Sequence, residues 1–376
     1  MQMKYHLMII LLLIITGCTA DQEYKGQSHH MDNKERSAKD YQQAITIAAI
    51  GDLLIHDRVY NDAWDGERYD FQSMLAPVQN YLQKPTIAMA NQESIMGGEE
   101  LGLSNYPRFN SPFDLADDIQ KTGVDLVTMA NNHTLDKGEV AIHNAIDYYE
   151  KIGLRYTGAF KSQADQDTIR VIETDAGISA AFLSYTYGTN GIPVPDGKEY
   201  LVNQIDRLQI KSDVLEAEKL ADITIVSYHF GQEYMRQPNQ EQQDLVQFAA
   251  DLGTDVVIGH HPHVLQPIEW VEGEQGNKTL VAYSLGNFLS GQYELNRRIG
   301  GIFQFTVEKQ GDSVSVHTPA FLPTFVQFEM IDDTMTNVEV LPLGNVTNQQ
   351  LSDAKVHLEE IKQHVSQNIE GLQFIE

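Results

Sequence analysis

The chain is poor in cysteine, in positive charge and in long apolar runs, and each shortage removes a class of protein. Cys18 is the only cysteine among 376 residues, so an internal disulfide framework is impossible and a thiolate-held metal is excluded. Lys and Arg number 26 against 53 Asp and Glu, a formal net charge of −27. A chain this acidic repels phosphate backbones, which excludes non-specific nucleic-acid binding. The apolar run at residues 7–15 is nine long, half of the ~18 that a membrane-spanning helix needs. No short period repeats, so solenoids and propellers are excluded as well. What is present is an ordinary globular composition, 42% hydrophobic with 27 glycines. That is ample for a sizeable core, and the length is a soft prior for about two domains.

The first forty residues speak of compartment. Lys4, the apolar run 7–15 and then Ile15-Thr16-Gly17-Cys18 resemble the lipobox of bacterial lipoproteins. The resemblance implies a signal peptide over residues 1–17 and a lipidated Cys18 as the membrane anchor. The body would then sit on the outer face of the cytoplasmic membrane. An uncleaved short anchor, or a chance cysteine after an ordinary signal, is the plainer reading of the same residues. Residues 18–43 are polar, with Asp21, Glu23, Lys25, Lys34, Glu35 and Arg36, and read as a flexible tether. His29-His30 lies inside it and reads as solvated.

From residue 44 the pattern alternates between strand and helix. Residues 45–50 (ITIAAI) form a short apolar run that ends at Gly51-Asp52, a buried strand by length and content. Ser111-Pro112 reads as the N-cap and first position of a helix that Gly123 closes. Residues 125–129 (DLVTM) then read as a strand running into Ala130-Asn131-Asn132-His133, followed by a helix over 137–151 with apolar residues at helical spacing. The same joint returns twice, at 222–226 (DITIV) before His229 and at 255–258 (DVVI) before Gly259-His260-His261-Pro262-His263. A fifth strand, 279–284, leads to Gly286-Asn287. Beyond Gly300 short alternating strands are expected at 302–307 and 313–317. An amphipathic helix at 351–368 either packs on the domain or hangs free. The expected organisation is one α/β domain over 44–345 and a helical segment over 346–376.

Five candidate strands ending in loops that carry Asp, Asn or His is the informative feature. Ligands of open α/β sheets bind beyond the carboxyl ends of the strands. Asp52, Glu93, Asn132, His133, His229, His261 and His263 can therefore converge although they are spread over some two hundred positions. Imidazole mixed with carboxylate and amide oxygen, without thiolate, suits one or two divalent ions such as Mn, Fe, Zn or Mg. Two metals about 3.5–4 Å apart would support hydrolytic chemistry.

The segments Gly51-Asp52, Asn91-Gln92-Glu93, Ala130-Asn131-Asn132-His133 with Asp136 and Gly138, His229-Phe230-Gly231-Gln232-Glu233-Tyr234, Gly259-His260-His261-Pro262-His263-Val264 and Tyr283-Ser284-Leu285-Gly286-Asn287-Phe288 together resemble the CapA-type proteins. That family belongs to bacterial poly-γ-glutamate capsule synthesis and is a branch of the calcineurin-like metallophosphoesterase superfamily. The resemblance implies a layered sandwich of mixed β-sheets flanked by helices. It makes Asp52 the first-strand metal ligand and puts Glu93 where a bridging Asp usually stands. Asn132 and His133 look like the family's metal-binding Asn and substrate-contacting His. His229, His261 and His263 look like its later imidazole ligands, and which two of His260, His261 and His263 ligate stays open, the pair flanking Pro262 being favoured. Glu233 joins Asp52 and His133 in the catalytic set, as the group that fixes an imidazole's tautomer. His260, Asn287 and Tyr185 are candidate substrate contacts.

One departure matters. The superfamily begins with Asp-x-His, whereas Asp52 is followed by Leu53-Leu54, with His56 four positions on. His56 shares a face with Asp52 only if the strand continues that far. Otherwise the first metal position is short of a ligand. Plainer readings stand beside several of these residues. Asp52 and Asp136 also suit turns, His229 also suits a hydrogen-bonded core, and Tyr185 also suits packing.

The functional expectation is a membrane-anchored protein of poly-γ-glutamate synthesis, export or processing with a metal-dependent hydrolase site. The alternatives are a polymer-binding or export accessory without catalysis, and an extracytoplasmic phosphoesterase unrelated to capsule. A body of charge −27 should itself repel a polyanion, so such a substrate requires the metal or a basic patch. Arg297-Arg298 is the densest basic pair near the motifs.

Overall fold

Residues 256–258 (VVI) and 280–282 (LVA) are apolar at every position, so sheets built from them must be covered on both faces. The computed structural model describes residues 42–376 and meets that demand with four layers, two sheets face to face and helices outside each. The expected signal peptide, Cys18 and the expected tether as far as residue 41 lie outside the described residues.

The chain opens the first sheet with four parallel strands, β1 (Gln42–Leu54), β2 (Ile87–Gln92), β3 (Leu126–Thr128) and β4 (Arg155–Thr157). It then builds the second sheet from β5 (Arg170–Glu173), β6 (Ser179–Thr186), β7 (Ile223–His229), β8 (Val256–His260), β9 (Ile268–Glu272) and β10 (Lys278–Ala282). The order there is β5-β6-β7-β8-β10-β9, parallel in the centre with an antiparallel strand at each edge. The chain returns to the first sheet with β11 (Asn287–Ser290), parallel to β1, then β12 (Ile299–Gln310), β13 (Ser313–Ile331), β14 (Thr334–Pro342) and β15 (Gln373–Phe374). The outcome is the mixed α/β sandwich that the motif order implies.

Strand alternation sorts β1 between two cores. Ile45, Ile47 and Ala49 face the other sheet and pack with Ile225, Ile258 and Leu280. Ala48 and Ile50 face outward onto Leu115, Ile119, Ile142 and Tyr149 of the helices Asp114–Thr122 and Gly138–Ile152. On the far side, Val226, Tyr228 and Val257 pack against helices Arg207–Leu220 and Gln240–Asp251. Asn239 caps the latter with a reciprocal Gln242 bond, which satisfies two of its orphan N-terminal donors.

The recurring Asp before a strand has one job, repeated three times. Asp125 Oδ2 accepts the Ala88 N–H at 2.8 Å while its own N–H bonds Ala88 O at 2.8 Å. Asp222 does the same with Ser179, at 2.9 and 3.1 Å. Asp255 does it with Thr224, at 2.8 and 3.1 Å. Each carboxylate ties the start of one parallel strand to its neighbour, at the end of the sheet away from the metal-ligand candidates.

Several boundaries differ from the sequence expectation. Residues 42 and 43, expected in the tether, already pair with Lys309 and Gln310 of β12, because backbone pairing needs no apolar side chain. The helix after Pro112 starts at Asp114 without a side-chain cap. Ser111 instead bonds Ser94 through its hydroxyl, and Gly123, at φ 119°, closes the helix as expected. β13 extends to Ile331 although Pro319 and Pro323 disguise its alternation. The final helix, Ala354–Val365, buries Ala354, Ile361 and Val365 against the inter-sheet core, so it packs on the domain. Among the described residues no helix is long and apolar enough to cross a membrane.

Candidate metal centre and the cavity beside it

The parallel strands deliver their carboxyl ends to one edge, and two glycines let neighbouring strands approach closely there. A Cβ on Gly51 would come within 2.0 Å of Gly286 O, and one on Gly259 within 1.9 Å of Tyr283 O. Any side chain at Gly51 would push β1 away from the segment leading into its partner β11, and any at Gly259 would push β8 away from the end of its partner β10.

Asp52, near the end of β1, is fully buried. It accepts a 2.8 Å bond from Asn91 Nδ2, and its Oδ2 lies 3.1 Å from His263 Nδ1. His260 Nδ1 is 3.3 Å from its other oxygen. Burial pushes its pKa up, but His260 and His263 outweigh that and hold it well below the usual carboxylate range.

Glu93, one residue beyond β2, is the opposite case. It too is fully buried, yet among the described residues neither carboxylate oxygen has a hydrogen-bond partner. The nearest imidazoles are His229 Nε2 and His263 Nε2, 3.5 and 3.6 Å from Oε1. Burial raises its pKa to about 8. A buried carboxylate without partners costs several kcal/mol unless it protonates or a cation joins it.

The Gly-His-His-Pro-His loop supplies imidazoles around this carboxylate. His261 and His263 take left-handed backbone angles, φ 96° and 57°, costing of order 1–3 kcal/mol each. The Tyr234 N–H holds the turn between them by bonding Pro262 O at 2.7 Å. Burial drives the His261 pKa to about 2, so its ring is neutral, and its Nδ1 has no hydrogen-bond partner among the described residues. Burial depresses His263 as well, but the carboxylates of Glu93 and Asp52 override it and raise it to about 9. One ligand atom each from Glu93, His261 and His263 lies within 4.8 Å of the others. Beside them burial keeps His229 neutral, far below its ordinary pKa, and its Nε2 is 2.9 Å from Asn132 Oδ1.

His133 stands at the rim. Its Nδ1 is 2.6 Å from Asp136 Oδ2, which also accepts the Phe109 N–H at 2.7 Å. Asp136 thus fixes the ring and leaves Nε2 as the nitrogen available for proton transfer. A cavity of about 340 Å³ opens here, lined in part by Arg108, Asn132, His133, Asp136, Asn190 and Glu233.

The structure therefore brings Asp52, Glu93, Asn132, His133, His229, His261 and His263 to one place. Four other sequence-based assignments change. Tyr185 is not a substrate wall: it is buried in the helix-covered core with its hydroxyl on Asp213 at 2.7 Å. Tyr187, two residues on and thus beyond the strand, is the ring beside the site, 4.7 Å from His261. His260 is only 1% exposed, and its Nδ1 stands 3.3 Å from Asp52 with no hydrogen bond to either ring nitrogen among the described residues, so it does not face the cavity. Asn287 places its Oδ1 3.1 Å from His263 Nδ1 and donates to Arg297 O at 2.8 Å, so it steers an imidazole. Glu233 is exposed at the cavity and has no hydrogen-bonded imidazole among the described residues.

His56 does not fill the missing first-motif position. β1 stops at Leu54, and His56 Nδ1 is held by the backbone, 3.2 Å from the Gly291 N–H and 3.0 Å from Leu54 O. The basic pair is also committed elsewhere. Arg297 lies over Tyr234 and pairs with Glu294, and Arg298 packs on Phe325 and Phe328. Sequence reasoning missed Asn91 and Asn190. Reading β2 as a strand would have put Asn91 and Glu93 on one face, whereas nothing local marks Asn190.

Comparison with known proteins agrees with the motif set. The model of the bacterial capsule synthesis protein family PGA_cap matches residues 46–292. The PGA biosynthesis protein CapA of Bacillus subtilis is 32% identical over 204 residues, covering 52% of this chain and 50% of that protein. The capsule biosynthesis protein CapA of Bacillus anthracis is 25% identical over 317 residues, covering 82% and 72%. The chain thus spans half of the first relative's length. Among solved structures, a phosphatase from Mycoplasma pneumoniae has a TM-score of 0.45 at 13% identity, covering 75% of this chain and 94% of that one. The calcineurin-like phosphoesterase YfkN from Bacillus subtilis has 0.42 at 15% identity, covering 85% and 99%. The family match runs from before Asp52 to beyond Asn287, taking in every residue of the site, and the chain belongs to the bacterial capsule synthesis protein family PGA_cap.

Proposed function

We propose that the chain is a metal-dependent hydrolase acting on poly-γ-glutamate or a closely related acidic polymer. In this reading lipidated Cys18 anchors it to the outer face of the cytoplasmic membrane, beside the capsule synthesis machinery. The carrying observation is Glu93, a fully buried carboxylate with no hydrogen-bond partner among the described residues, within reach of His261 and His263. Those three would hold a divalent cation, with Asp52, His229 and Asn132 around it, and the imidazole-rich set suits Mn, Fe or Zn. Such a cation supplies Lewis acidity and makes water a nucleophile near neutral pH. His133, oriented by Asp136, donates a proton to the leaving group from Nε2.

A second reading has its own observation. Buried Leu54 occupies the position where Asp-x-His puts an imidazole, and His56 is engaged with the backbone. That favours an accessory that binds polymer without cleaving it.

The test uses the purified full chain, with metal content measured first. Manganese-dependent cleavage of poly-γ-glutamate that is lost in Asp52→Ala and His261→Ala supports the hydrolase. Polymer binding that survives both substitutions, with no cleavage, supports the accessory. Hydrolysis of a generic phosphoester with no action on the polymer overturns the capsule assignment.

A further inference from the structure

The charge problem has an answer that the basic pair does not give. Arg58, Arg68, Arg170 and Arg297 each have a carboxylate partner, as expected when acidic groups outnumber basic ones twofold. Arg108, like Arg155, Arg207, Arg236 and Arg298, has no ion pair among the described residues, and it is the one of these that is exposed and lines the cavity of His133. A guanidinium stays charged at any physiological pH, so this cavity carries a fixed positive group that the protein itself does not neutralise.

Arg108 is also held in place. Ser104 and Asn110 exchange two backbone bonds of 3.1 Å, and Ser104 Oγ donates to Arg108 O at 2.7 Å. Asn110 anchors the loop base by accepting the Gly97 N–H at 2.9 Å and donating to Gly98 O at 2.9 Å. The next residue, Phe109, gives its N–H to Asp136, the same carboxylate that fixes His133. The loop that presents the cation and the group that moves the proton are thus tied to one atom, Asp136 Oδ2. Asn190 links the remaining lining, its Oδ1 accepting from Asn132 at 3.2 Å and its Nδ2 lying 3.4 Å from His133 Nδ1.

We propose that Arg108, presented by the loop 104–110 into the cavity of His133, is the subsite for a carboxylate of the bound acidic chain. This rests on the polymer reading above and adds which residue recognises the substrate. The planar guanidinium fork pairs a carboxylate bidentately. Phosphate offers the same oxygen pattern, but Glu233 and Asp136 line the same cavity and disfavour a dianion more than a monoanion. Glu233 is in turn an acceptor for an amide N–H, which a glutamate chain has and phosphate lacks.

The experiment is calorimetric titration of the manganese-loaded full chain with a short γ-linked glutamate oligomer, and separately with inorganic phosphate. Arg108→Ala should weaken oligomer binding about 10–100-fold, the range of a lost charge-assisted bond, with manganese affinity unchanged. Arg108→Lys should recover part of the loss, because a point charge lacks the fork. Lys84→Ala removes the same charge from an exposed site on a different loop and should change binding less than about twofold. Equal losses in Arg108→Ala and Lys84→Ala would show a long-range charge effect and overturn the subsite. So would a loss of phosphate binding with oligomer binding intact. If the unaltered chain fails to bind the oligomer, the polymer reading itself is wrong and the subsite falls with it.

Discussion

The two ends of the parallel strands use the same residue types in opposite ways. At the amino ends, Asp125, Asp222 and Asp255 each accept a neighbouring backbone N–H, and Asp222 adds Lys309 of β12 at 2.6 Å. At the carboxyl ends, Asp52 is held by the side chains of Asn91 and His263, and Glu93 has no hydrogen-bond partner among the described residues, its nearest imidazoles standing 3.5 and 3.6 Å away. A carboxylate satisfied by the backbone is architecture. One left without a hydrogen bond, and buried deeper, is where the proposed cation would sit.

The contrast breaks first at Glu93. Glu93→Gln should cut manganese affinity by about 100-fold or more, beyond what loss of a supporting residue costs. Metal-free thermal stability should hold or rise, since the buried acid is replaced by a neutral isostere. Unchanged metal binding by calorimetry would remove the metal-centre reading. Asp125→Ala should do the reverse, lowering unfolding free energy by about 1–3 kcal/mol as the Ala88 N–H loses its acceptor. Denaturant melts would measure this, and metal stoichiometry should not change.

A third test uses pH. Burial raises Asp255 to about 7 against an ordinary 3.8. Between those values the folded chain keeps a proton that the unfolded chain has lost, so this group's contribution to stability falls as pH climbs from about 4 to 7 and levels off above. Asp255→Asn removes that slope. At pH 8 the variant should match or exceed the parent by up to ~2 kcal/mol, a figure discounted for the residue's partial exposure, and the difference should vanish near pH 4. A parallel pH dependence in both proteins would refute it. The smallest effect belongs to Tyr185→Phe, about 1 kcal/mol of stability from the lost Asp213 bond. It should leave polymer binding untouched, which separates Tyr185 from Tyr187.

Much of the site was readable because chemistry and order were both in the chain. Strand runs ending in Asp52, Asn132, His229 and the 260–263 triplet announced a convergent edge, since parallel strands share one carboxyl end. The errors have a common cause. Tyr185 and Tyr187 differ by two residues, but β6 ends between them at Thr186, so one faces a helix-covered core and the other a histidine. His260 carries the same side chain as His261, yet one lies at the strand's last position and the other starts the turn. Glu93 was found by motif rather than by strand, because β2 carries polar residues at its end. Asn190 and Arg108 come from loops, where no periodicity indicates direction.

By itself the sequence determined the α/β alternation, the family, and which donor types stand at the strand ends, because these depend on local pattern and covalent order. Only the tertiary structure decided that Glu93 has no hydrogen-bond partner among the described residues, that Asn287 and His260 stand against other site residues, and that Arg108 shares a cavity with His133. Those are distances between groups far apart along the chain. They are set by how the two sheets close on each other and by which backbone donors that closure leaves within reach.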